Sequence, residues 1–99
     1  MGAAVRKQKP TPIDPHETLT AQIVRLETAT ETMMSYIGYL NTEIMKEEEM
    51  PKPNQSRIQA LEEQMQAVSR ERHAITPEDQ KLIAKALYIY APIMKALGS

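Results

Sequence analysis

The sequence predicts an all-α protein: one long helix and two shorter ones, forming a helical hairpin or three-helix bundle completed by dimerisation. Three observations predict it. Leu19, Ile23, Leu26, Thr30, Met33, Ile37, Leu40 and Ile44 alternate by four and three residues without a break, apolar except for Thr30, and draw one seam along a single helix. The chain of 99 residues has no Phe and no Trp, so the expected core is Ile, Leu, Met, Val and Ala, a set that suits helices packed on helices. Prolines then interrupt the pattern at 10, 12 and 15, at 51 and 53, and at 77, dividing the chain into an arm and three helical segments.

Residues 1–13 read as a flexible basic arm, in which Arg6, Lys7 and Lys9 precede prolines that deny the backbone both helix and ladder hydrogen bonds. Residues 14–99 read as one helical domain, with helices over about 15–49, 55–74 and 77–97. Asp14 is placed to cap the first, with Pro15 at its first position, Glu17 completing a box-like arrangement and Ile13 as a staple. Pro51 and Pro53 stop it after roughly 35 residues, or about 50 Å. Gly38 lies inside it at a cost of about 1 kcal/mol against Ala, a reason to expect close approach of another element. The second helix begins at Asn54 or Ser56, Ser56 and Gln59 having capping-box spacing, and carries Ile58, Leu61, Met65, Val68 and Ile75 on one side. The short link makes it antiparallel to the first. Thr76, Pro77, Glu78 and Asp79 supply a cap, a first-turn proline and two acids for the third helix, which Pro92 is expected to kink or shorten and Gly98 to end.

The second helix is long enough to cover only the C-terminal half of the first. Either the third continues onward over the N-terminal half, or it doubles back into a three-helix bundle and leaves Leu19, Ile23 and Leu26 bare. Each large aliphatic side chain left in water forgoes roughly 1.5–3 kcal/mol. Both layouts therefore favour a homodimer, with Leu19, Ile23, Leu26, Met33, Ile37, Leu40 and Ile44 as the self-association seam. Ile at one seam position and Leu at the other would suit a parallel coiled coil. Gln22, Ala29, Met34, Tyr36 and Asn41 at the flanking positions lack the charges such a coil needs, which favours a bundle.

Two surfaces are candidates for binding a partner. The third helix is apolar nearly all round, the mark of a central helix, of one that docks in a partner's groove through Leu87, Tyr90 and Met94, or of one lying on a membrane interface. On the first helix Thr28, Thr32, Ser35, Gly38 and Thr42 make a small neutral stripe flanked by Tyr36 and Tyr39, which reads equally as a contact surface or as a solvated face.

Chemistry-bearing motifs are absent from the sequence. The three glycines stand too far apart for a phosphate loop. His16 and His73 have no second histidine at ligand spacing, and Glu47, Glu48 and Glu49 lack a cation-binding loop. Those acids oppose the dipole at their own helix end, which points to fraying or to a basic partner. No catalytic, cofactor or metal residue is expected, and no enzyme. Without cysteine there is no disulfide, and no basic-then-apolar leader opens the chain, so the default location is cytoplasmic. The expected function is protein–protein interaction through apolar helical surfaces, as an adaptor, inhibitor or chaperone-like binder. In its general look the chain is similar to small regulators, antitoxins and secretion chaperones, a likeness of class carried by no motif. The alternative is a nucleic-acid accessory protein, with Arg6, Lys7, Lys9, Arg70 and Arg72, beside His73, as phosphate contacts. A net charge of −1 and the apolar third helix weigh against that alternative.

Overall fold

The computed structural model describes the backbone of residues 15–98 and the side chains from 19 to 97; the basic arm, the Asp14 cap and the Ile13 staple lie outside the described residues. Helix α1 runs over Pro15–Glu48 and α2 over Gln55–Ala74; α3 (Gln80–Lys85), a π-helical turn (Ala86–Tyr90) and α4 (Ala91–Gly98) follow one another without a break as a third rod. The described residues contain no strand. The fold is all-α.

The hairpin between α1 and α2 is closed by charge as well as by proline. Glu47 accepts a hydrogen bond from the Asn54 N–H at 3.0 Å and pairs with Arg57 Nε at 3.4 Å, while Arg57 Nη2 reaches Glu43 at 3.3 Å. One of the acids opposing the α1 dipole thus meets its basic partner within the chain. Asn54, not Ser56, caps α2: its side chain accepts from the Arg57 N–H at 3.1 Å.

At the next junction the expected cap moves. The Asp79 N–H bonds the Thr76 carbonyl at 3.0 Å, a turn with Pro77 in its favoured second place, and Asp79 itself accepts from the Leu82 N–H at 3.1 Å. The helix therefore starts at Gln80 rather than at Pro77. Pro92 leaves its mark as well. Its ring crowds the carbonyl four residues back, that of Tyr88, and regular α geometry ends at Lys85. The chain widens into the π turn, closed by Ala91 N–H to the Ala86 carbonyl, and resumes as α4 with Pro92 in the first turn, where a missing donor costs little.

Side-chain contacts fix the topology. Arg57 meets Glu43 and Gln64 meets Tyr36, so α2 runs antiparallel to α1. Going up α1, Arg25 shares a cleft with Gln80 and Ile83, Tyr36 touches the Tyr90 ring, and Tyr39 to Lys46 face Met94 and Leu97. The third rod therefore doubles back, parallel to α1. This is the three-helix layout, and it leaves the first turns of α1 projecting past the bundle: Leu19 is 56% and Ile23 44% exposed, and Leu26 is half-buried.

The core joins Ala29, Met33, Tyr36 and Leu40 of α1 to Val68 of α2 and to Ile83, Ala86 and Tyr90 of the third rod, with Ile44 and Ile58 buried towards the hairpin. It departs from the expected seam. Ala29 and Tyr36 are buried where Thr30 and Ile37 were expected, and those two are only half-buried. Two rods on one side of α1 cover a wider sector than one coiled-coil neighbour, and its centre lies to one side of the heptad line. Tyrosines take the place of the missing Phe and Trp: the Tyr36 and Tyr90 rings lie 5.0 Å apart, tilted by 38°.

Candidate interaction surfaces

At the middle of the bundle α2 sends polar side chains inward to meet the tyrosines. Glu71 accepts from the Tyr90 hydroxyl at 2.5 Å with one oxygen and from Lys85 Nζ at 2.6 Å with the other. The Lys85 ammonium sits 5.4 Å from the Tyr90 ring centre, and Gln64 donates to the Tyr36 hydroxyl. Each buried phenol thus has a partner. Burial raises the Tyr90 pKa above its ordinary value, and the Glu71 hydrogen bond adds to the rise. Burial and the neighbouring Tyr39 raise that of Tyr36. Lys85 is raised as well, chiefly by its hydrogen bond to Glu71. The sequence held no pattern marking Glu71, Gln64 or Lys85 as a set, since they meet only when α2 and the third rod are side by side.

This arrangement relocates most of the expected anchors. Tyr36 and Tyr90 are core residues, 4% and 6% exposed, and not available to a partner. Leu87, Met94 and Tyr39 are half-buried against the core. The outer side of the third rod carries other residues instead. Tyr88, Ile89, Ile93 and Leu97 are exposed, with Pro92 and Ala96 between them. The anchors expected of the apolar third helix, Leu87, Tyr90 and Met94, thus turn to the core, and the exposed apolar residues are different ones. From Gln80 to Gly98 the charged residues are Lys81, Lys85 and Lys95, with no acid.

On α1 the hydroxyls of Thr28, Thr32 and Thr42 bond the carbonyls one turn back, of Val24, Thr28 and Gly38, at 2.9–3.1 Å. The threonines of the small neutral stripe are thereby satisfied within their own helix. A Cβ on Gly38 would meet nothing within 4 Å, so no other described element approaches it closely. Met34 and Met45 are exposed on the same helix, as is Val24 beside the projecting Leu19 and Ile23.

Arg70 is exposed, Arg72 half-buried, and Glu71 between them is turned into the core network; Arg6, Lys7 and Lys9 lie outside the described residues. Among the described residues no three His, Asp or Glu side chains are grouped to hold a metal ion, and no helix is long and apolar enough to cross a membrane. An open cleft of about 300 Å³ lies between Arg25 of α1 and Gln80, Ile83, Leu87 and Tyr88 of the third rod. It brings together no nucleophile, base or acid set able to act on a substrate. No protein-family model, no curated protein and no solved structure matches this chain.

Proposed function

We propose that this chain is a non-enzymatic interaction protein that works as a homodimer and docks a protein partner on the outer side of its third rod. The observation that carries the reading is the run of exposed Tyr88, Ile89, Ile93 and Leu97 over successive turns, an apolar face that the chain itself does not cover. Between Tyr88 and Leu97 the one charged residue is Lys95, so the face is apolar rather than charged. Self-association is supported by Leu19, Ile23 and Val24, which are exposed where α1 projects past the other described helices.

Ile89→Asp with Ile93→Asp tests the docking face. Both side chains are exposed, so helicity by circular dichroism and the unfolding midpoint should hold. Binding of a hydrophobic dye, and cross-linking to the partner in cells through a photoreactive group at Tyr88, should be lost. Unchanged dye binding and cross-linking in a folded variant would overturn the proposal.

A further inference from the structure

The outward side of α1 carries a second apolar line, which shares Ile23 with the heptad seam and otherwise lies apart from it. Ile23, Met34 and Met45 are all exposed and stand at intervals of eleven residues. Eleven residues are close to three helical turns, so the three lie one above another, about 16 Å apart. On the same side are Thr20, Glu27, Asn41 and Glu48, all exposed, and the open Gly38.

This line is symmetric about Met34. Ile23 lies as far before it as Met45 lies after it, and the same holds for Glu27 and Asn41, for Thr20 and Glu48, and for Thr30 and Gly38. We propose that a second copy of this chain packs antiparallel along α1, with the two-fold axis at Met34. Resting on the self-association proposed above, this names its surface and polarity. Two Met34 side chains then meet at the axis, and each Ile23 packs against the partner's Met45. Thr30 passes over the partner's Gly38, where the missing side chain leaves room.

Charge selects the direction. Side by side in the same direction, the copies would set Glu27 against Glu27 and Glu48 against Glu48, like charges that oppose association. Running in opposite directions, Glu27 meets the Asn41 amide and Glu48 meets the Thr20 hydroxyl, both donors. Among the described residues Asn41 Nδ2 has only a long contact, 3.7 Å, to the Met45 sulfur. The Glu27 and Glu48 carboxylates have no partner among the described residues. Gly38 fits the same account. It has no positive φ and no close neighbour, so the monomer's packing does not require it, whereas a helix passing over it does.

The chain lacks cysteine, so introduced thiols report on it cleanly. Under mild oxidation, a mixture of Ile23→Cys and Met45→Cys chains should form a disulfide between unlike copies, and Ile23→Cys alone should not. In light scattering across a dilution series, Met34→Glu should be a folded monomer. Asn41→Glu, which sets an acid against Glu27, should raise the dimer Kd by at least about tenfold, and adding Glu27→Lys should reverse that. A wild-type monomer at every concentration would remove both this inference and the self-association it rests on. A wild-type dimer that survives Met34→Glu, or an Ile23→Cys chain that links to itself, would overturn this surface or polarity alone.

Discussion

Met33 and Met34 are adjacent and chemically the same, yet one is fully buried and the other 54% exposed. Truncating the buried one removes packing on every side and leaves a cavity. Met33→Ala should therefore cost about 2–5 kcal/mol in chemical denaturation. Met34→Ala, measured on the monomeric form, should stay within about 0.5 kcal/mol. Equal losses would mean that the core is centred elsewhere. The heptad seam included Met33 and omitted Met34, so this much was legible in the sequence. What it did not contain was Tyr36, since a tyrosine beside a Thr-rich stripe reads as a surface residue until a second ring is known to lie against it.

The Tyr36, Tyr90 and Lys85 group makes a prediction about pH. All three have folded pKa values raised above those of the unfolded chain. A raised value means that the folded state holds its proton more tightly, so the stability from these groups is fully present below about pH 10 and is lost as pH rises through the folded values. The urea midpoint should fall between about pH 9 and about pH 11, and tyrosinate absorbance should show two phenols ionising late. Lys85 is 41% exposed, so screening trims its share and the two phenols dominate. Stability that is flat or rising across that range would contradict the network. Tyr90→Phe removes one donor to Glu71 and should cost about 1 kcal/mol near neutral pH.

Among the elements, helix ends show how local signals compete. The sequence placed a Thr76 cap before the third rod with Asp79 as a first-turn acid, and the chain instead caps the rod with Asp79. Asp79→Ala should lose about 1 kcal/mol, while Thr76→Ala should lose clearly less. The reverse order would place the cap back at Thr76. Pro92 was expected to kink or shorten its helix, and the π turn before it is the form that takes. Pro92→Ala should raise helicity and stability, by less than the about 3 kcal/mol that a mid-helix proline costs, because Pro92 already sits in the first turn of α4. A loss of stability would mean that Pro92 stabilises the first turn of α4 more than its ring disturbs the helix before it.

For the whole molecule, the three rods differ in how much of α1 they reach. The segment around Ala29 to Ile44 lies under two rods, whereas Leu19, Ile23 and Val24 are exposed and belong to no core contact among the described residues. Amide exchange should therefore be slow across the first segment and markedly faster in the second, measured on the Met34→Glu chain so that a second copy does not protect it. Uniform protection along α1 would show that the projecting turns are covered within one chain.

By itself the sequence determined the helical class and the hairpin, because periodicity and proline positions act through local backbone geometry. It also determined that apolar surface would exceed what one short chain covers, because helix lengths follow directly from residue counts. The direction of the third rod, the shift of the core onto Ala29 and Tyr36, and the meeting of Glu71 with Lys85 and Tyr90 were decided only by the tertiary structure. Those depend on which face of each helix finds a neighbour, and contacts between residues far apart in the chain leave no periodic trace in any one segment.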